Sequence, residues 1–373
     1  MKKILVVFCN LTLLGSLWAC ADKKIDEGGV NEDDRFAGYG EALDAPLDEW
    51  SYHEFSNAVC GNGDPLGIGV FPSSSSTKVL IYLEGGGACW DAQTCNSNIA
   101  AFVKTGIDQA QAENFFAFAG TRSIFSRTDE SNPFKDYSLV YVPYCTGDIH
   151  SGSRSDNSYG VEHKGYDNMS AFLNRLVPTL SDATEVILSG SSAGGFGATI
   201  NYDQVREAFI DLPVQLLIDS APPVTTNLYP IGLYNTQTEA WNTAVSQPDY
   251  CVIDDDDICP EGHSRFMRFI ETHPESRVAL ITSTGDNVLR QFFGLETFPP
   301  RNITAEQYEV GIRELAAILE PFDNVKIFVD DSTKHVYLRD EPFGGLTVNG
   351  TSIGTFVEGF LANDANFRDV IAP

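Results

Sequence analysis

The sequence predicts an α/β fold with a mostly parallel central sheet, helices on both faces and cap-like insertions, on three observations. Short apolar runs recur at 79–83, 139–142, 186–188, 214–218, 278–281 and 325–329. They are rich in β-branched residues and apolar on both sides, the pattern of strands buried in a parallel sheet. The segments between them are helical or irregular, and strand alternating with helix is the signature of this class.

Taken from the N-terminus, Lys2 and Lys3 precede an apolar stretch, 4–18, that ends in Ala19-Cys20. This reads as an export signal over 1–19. Leu17-Trp18-Ala19-Cys20 resembles a bacterial lipobox, making Cys20 the expected lipidated first residue of the mature chain. The only expected membrane association is through that anchor, since no other segment approaches the roughly 18 apolar residues of a span. Residues 20–50 are acidic and glycine-rich without apolar periodicity, so they are expected to form a solvated tether. Residues 51–373 remain for one large catalytic-type domain.

Within that domain, 167–180 places Met169, Phe172, Leu173 and Leu176 at helical spacing, and 193–209 reads as the next helix. Insertions near 96–133, rich in Phe and Ala, and near 222–273, rich in Pro, Tyr and Trp, are expected to form cap elements. The run Asp254-Asp255-Asp256-Asp257 lacks the spaced acids and glycine of a calcium loop and reads as a solvated loop.

The formal net charge of −28, which becomes −30 once Lys2 and Lys3 leave with the signal, excludes nucleic acid as a partner. Of eight cysteines, Cys9 lies in the signal and Cys20 is the lipid site. An even remainder of six in an exported chain predicts three disulfides. Cys89 with Cys95 and Cys251 with Cys259 close short loops, leaving Cys60 with Cys145. No C-x-x-C occurs, so no metal site is expected.

Chemistry enters at Gly190-Ser191-Ser192-Ala193-Gly194-Gly195, a G-x-S-x-G turn between an apolar run and a helix. Such a turn is tight enough to require small flanking residues, and it lifts the serine hydroxyl above the sheet. Ser192 is therefore the candidate nucleophile. A serine needs a histidine to take its proton and an acid to orient that histidine. In the chain order Ser, acid, His, the acid follows the second strand after the serine and the histidine follows the last. Those positions hold Asp286 and His335; Asp219, at the end of the first strand after the serine, is the second candidate acid. The oxyanion donors should be the N–H of Ala193 and those of a glycine-rich turn after an early strand. Gly85-Gly86-Gly87 supplies that turn, with Gly86 and Gly87 as donors. A phosphate cradle would lead into Lys and Ser/Thr, which are absent here, and no cofactor is expected.

The run from Tyr82 to Trp90 with its second cysteine at Cys95, the run Tyr144-Cys145-Thr146-Gly147-Asp148-Ile149-His150-Ser151-Gly152, and the serine turn together resemble the pectin acetylesterase/Notum family. The likeness extends from about residue 58 to His335 and is thin across 222–273. It implies an α/β-hydrolase-type fold, Ser192 as nucleophile, Asp286 as acid, His335 as base, Gly86, Gly87 and Ala193 as oxyanion donors, and Cys60–Cys145 and Cys89–Cys95 pairing. Departures are Ser191, where the plant pattern has cysteine, and Ala88-Cys89-Trp90, where it has tryptophan directly after the glycines. Asp148 and His150 lie in a motif that borders the pocket or serves structural hydrogen bonding.

The expected function is an exported serine esterase, lipid-anchored in a bacterial envelope, that removes O-acyl groups, acetyl first among them, from a carbohydrate or other small ester. The alternatives are a longer-chain lipase or deacylase and a non-catalytic carbohydrate-binding module on a hydrolase fold.

Overall fold

The computed structural model describes residues 38–96, 104–119, 123–253, 256–297 and 299–373. The expected signal, Cys20 and the greater part of the tether lie outside the described residues. Residues 39–50, which fall within the expected tether, pack against the domain. The Tyr39 hydroxyl donates to the Ala208 carbonyl at 2.9 Å, Gly40 N–H to Asn174 O at 3.1 Å and Asp48 N–H to Pro72 O at 2.8 Å. Trp50 stacks on Phe116 with ring centroids 4.6 Å apart. An acidic composition hides these contacts, because a few apolar side chains and backbone hydrogen bonds suffice to dock the segment.

Nine strands form one sheet: β1 (Ser51–Val59), β2 (Pro65–Phe71), β3 (Lys78–Leu83), β4 (Ser138–Val142), β5 (Glu185–Ser191), β6 (Val214–Asp219), β7 (Val278–Ser283), β8 (Val325–Asp330) and β9 (Val370–Ile371). Their order is β1-β2-β4-β3-β5-β6-β7-β8-β9. β1 pairs antiparallel with β2, and β2 with β4; every other pairing is parallel. All six expected runs are strands. β1, β2 and β9 escape the pattern because β1 mixes polar and charged residues, β2 opens with Pro65 and carries two glycines, and β9 is two residues long.

Strands β4, β5, β6 and β7 are buried along their whole length, since both faces are covered. On one face Leu80, Tyr82, Ile187, Leu217, Ile281 and Phe328 form a core cluster with Phe356, Val357 and Phe360 of a C-terminal helix, Ile353–Ala362. The helices Gly165–Thr179 and Ala193–Ala208 pack on each other, the second also lying along β3, β5 and β6. Neither contributes to that cluster, which leaves them to the opposite face.

The two expected caps pack differently from one another. Helix Gln109–Ala119 sets Phe115 on Tyr141, centroids 4.4 Å apart, and Phe116 in the sheet-face cluster. The second segment folds into the helices Ile231–Trp241 and Gly262–Thr272. Its Trp241 donates Nε1–H to the Cys89 carbonyl at 2.7 Å. All three expected disulfides are present, with Cα–Cα distances of 5.0 Å for Cys60–Cys145, 4.9 Å for Cys89–Cys95 and 5.2 Å for Cys251–Cys259.

Candidate active site

Ser192 sits where β5 turns into the helix Ala193–Ala208, with φ 57° and ψ −124°. This is a strained backbone for a residue bearing Cβ and is kept only where the surroundings over-determine it. They do so here. Ser192 N–H donates to Asp219 O at 2.8 Å, and Gly195 N–H to Ser192 O at 2.9 Å. A Cβ at Gly194 would fall 1.9 Å from the Leu83 carbonyl oxygen, so only glycine lets the turn press this closely on β3.

Asp286 is fully buried at the N-terminus of a short helix, Asn287–Phe293. Its two oxygens divide the work. Oδ1 accepts the N–H groups of Val288 and Leu289 at 2.9 Å each, capping the helix, and Oδ2 lies 2.7 Å from Nδ1 of His335. The loops carrying the two residues follow adjacent strands and are joined by backbone bonds from Thr284 to Asp330, from Gly285 to Ser332 and from Asn287 to Thr333.

Ser192 and His335 line one cavity of about 710 Å³ together with Gly85, Gly86 and Gly87. Ala193 is buried as the first residue of its helix, where a backbone N–H has no intrahelical acceptor. Among the described residues, neither expected cap supplies a lining residue. The wall comes instead from the segment holding Val288, Arg290, Phe292, Leu295, Arg301 and Ile303, and Arg339 also lines the cavity. Gly294 enables that wall, because a Cβ there would sit 2.1 Å from the Arg301 carbonyl oxygen.

Sγ of Cys89 and of Cys95 and a ring nitrogen of His163 approach within 4.8 Å of one another, but the sulfurs are bonded together. The His163 ring is engaged by Thr146 O at 2.8 Å and the Tyr159 hydroxyl at 3.1 Å. This cluster offers no thiolate to a metal.

Residues 46–225 match the family model described as Pectinacetylesterase. Over that region the chain belongs to the pectin acetylesterase/Notum family. The match takes in Gly86, Gly87, Ser192 and Ala193 and ends before Asp286 and His335. Among relatives, the palmitoleoyl-protein carboxylesterase NOTUM of Schmidtea mediterranea is 33% identical over 160 residues, which are 40% of this chain and 29% of that protein. The human palmitoleoyl-protein carboxylesterase NOTUM is 29% identical over 160 residues, 41% of this chain and 30% of that protein. The aligned region thus spans under a third of either relative. The crystal structure of the Wnt deacylase Notum from Drosophila covers 86% of this chain and 95% of its own at a TM-score of 0.63 and 18% identity, which shows the shared α/β-hydrolase fold.

Three features of this family member lay outside the sequence reading or were left open by it. Asp219, the second candidate acid, does not reach His335; its Oδ2 accepts from Ser191 Oγ at 2.6 Å and from Tyr337 and Leu338 N–H at 2.9 Å each. Burial pushes its carboxyl above the usual carboxylate range against these hydrogen bonds. Asp148 is likewise a buried hub, accepting from Thr146 Oγ1 at 2.5 Å, Gly165 N–H at 2.8 Å and Gly152 N–H at 3.1 Å. His150 reaches the Glu84 carbonyl at 2.9 Å and is held below the usual imidazole range by burial. Both serve structure beneath the glycine turn. Glu84, also raised by burial, accepts from the Tyr141 hydroxyl and from Arg339 at 3.1 Å. Its acidic side chain in a glycine-rich turn was the only available signal.

Proposed function

We propose that this chain is a serine esterase that removes acetyl groups from a carbohydrate or similar small ester through Ser192, His335 and Asp286. The observation that carries the reading is the 2.7 Å contact between His335 Nδ1 and the buried Asp286, on a cavity that His335 shares with the strained Ser192. Asp286 fixes the tautomer with Nδ1–H and leaves Nε2 free to act as base.

In the forward step Ser192 Oγ attacks the ester carbonyl carbon while its proton passes to His335 Nε2. The carbonyl oxygen becomes an oxyanion facing the N–H groups of Gly86, Gly87 and Ala193, whose fixed direction stabilises charge that develops only in the transition state. Collapse returns the proton to the leaving alcohol oxygen and leaves acyl-Ser192. Water, deprotonated by His335, then releases the acid and restores the serine. The hydrogen bond from Ser192 Oγ to His335 Nε2 that this step needs is expected to form as substrate enters, since catalytic bonds often close only in the complex.

A short acyl group suits the cavity's polar side. Arg290, Gln291, Arg301, Asn302 and Arg339 line it among the apolar Val288, Phe292, Leu295 and Ile303, and a long aliphatic chain laid across the charged members would strip their water without replacing it, so acyl length is what the ester series decides. Three disulfides suit an oxidising compartment, and export with a lipid on Cys20 is part of the same reading.

Initial rates on p-nitrophenyl esters from acetate to palmitate, with Ser192→Ala as control, test it. Turnover falling with chain length is expected. A preference for palmitate would make the enzyme a long-chain deacylase, and no turnover of any ester would leave a binding module. Detergent partitioning lost in Cys20→Ser tests the anchor; a lipid-free mature chain beginning at or after Ala21 would remove it.

A further inference from the structure

We propose that the catalytic cavity is one of two adjoining subsites, and that the second holds a neutral, hydroxyl-rich unit linked to the ester-bearing unit of an oligomeric substrate. The proposal rests on the esterase reading above. A second cavity of about 390 Å³ adjoins the first, and Arg301 and Ile303 line both. Their segment is pinned rather than draped. Arg301 N–H donates to Gly294 O at 2.8 Å, beside the close approach that only glycine permits. The Arg301 guanidinium has no ion pair or hydrogen bond among the described residues.

The second cavity is amphipathic in the manner of a sugar ring. Val310 is 67% exposed and offers a surface for a ring's C–H face, with Leu228 buried behind it. At the rim, Glu314 Oε2 accepts from Asn227 Nδ2 at 3.3 Å and from Thr225 Oγ1 at 3.5 Å, whereas Oε1 accepts nothing among the described residues. A carboxylate beside an amide can take two neighbouring hydroxyls at once. Glu306 and Glu314 outnumber Arg301 in this lining, so an anionic unit is repelled on balance, and the chain's 52 acidic residues against 24 basic ones reinforce that. A long acyl chain fits no better, since it would desolvate both carboxylates.

The test compares kcat/KM on acetylated xylose, acetylated xylotriose, an acetylated uronide trimer and p-nitrophenyl acetate for wild type, Val310→Arg and Glu314→Ala. Val310→Arg fills the cavity from an exposed position, so folding is not at risk. The neutral trimer should exceed the monomer by about tenfold in wild type, and its advantage relative to p-nitrophenyl acetate should collapse in both variants. Equal rates on monomer and trimer, or an advantage that survives both substitutions, would overturn the second subsite. A uronide trimer outrunning the neutral one would overturn its neutral character. Failure of wild type on p-nitrophenyl acetate and on every sugar acetate would sink the esterase reading itself, a different result from activity without oligomer preference.

Discussion

Ser191 donates its hydroxyl to Oδ2 of Asp219 at 2.6 Å, and the Tyr82 hydroxyl donates to Ser191 at 2.7 Å. The same Asp219 oxygen holds the backbone of Tyr337 and Leu338, and Ser220 Oγ accepts from Val336 N–H at 2.9 Å. One buried carboxylate and its neighbour therefore brace the turn of Ser192 and the loop of His335 while touching neither of those side chains. Asp219→Asn should cost about 2 kcal/mol of stability by misplacing a donor among donors. Asp286→Asn should keep stability within about 1 kcal/mol, since asparagine also caps helices, yet drop the rate by about 10³-fold or more through the wrong histidine tautomer. Thermal melts and initial rates on both variants check this, and the opposite pattern would transfer the acid's role to Asp219.

Ser192→Ala and His335→Ala should each cost about 10³-fold or more in kcat while the circular dichroism spectrum stays unchanged. Both side chains border the cavity, so neither supports the sheet. Near-normal turnover by folded Ser192→Ala protein would exclude the acyl-enzyme.

The disulfides should separate stability from activity. Cys60–Cys145 closes a loop of 85 residues and Cys89–Cys95 one of 6. Loop-closure entropy makes the first worth about 4–5 kcal/mol and the second about 2 kcal/mol. The second, however, steadies the chain directly after Gly86 and Gly87. Replacing both cysteines of each pair by alanine should give the larger drop in melting temperature for Cys60/Cys145 and the larger loss of rate, at a temperature where both are folded, for Cys89/Cys95. Equal specific activities would detach the short loop from catalysis.

Acidification should loosen the base of the glycine turn. Burial holds His150 and His163 below the usual imidazole range. Unfolded, each binds a proton below about pH 6.5. The unfolded state then carries more protons, so the stability these groups contribute is present above that pH and lost as pH falls toward their folded values. Glu84, raised by burial, acts in the opposite sense, so the comparison needs a variant. The wild-type melting temperature should rise from pH 5 to pH 7 more steeply than that of His163→Asn; parallel slopes would remove His163 from the account.

The central strands were legible because burial on both faces forces continuous apolar runs, and Ser192, Asp286 and His335 could be placed because loop position follows from strand order. The cavity wall was not. Residues 288–303 carry no periodic signal, and their role depends on Gly294 letting Arg301 fold back on it, a close approach that a one-dimensional pattern does not contain. The part played by Asp219 was hidden for the same reason. Its three Oδ2 partners, Ser191, Tyr337 and Leu338, come from segments far apart in the chain.

Asp286 and His335 follow neighbouring strands whose pairing aligns Thr282 with Val329 and Ser283 with Asp330. The separation of Asp286 and His335 is thus a readout of strand alignment. A slip of one residue would carry one partner about 3.3 Å along the strand and turn its side chain to the other face of the sheet. Insertions between β6 and β7 leave that alignment alone. Outside Trp241, which holds the Cys89 carbonyl, and the stretch around Leu228 at the second cavity, the long excursion through 222–273 is therefore free to change length or sequence during divergence, while the few residues at the paired strand ends are not. Relatives that differ most in this excursion should still carry an intact acid–base dyad.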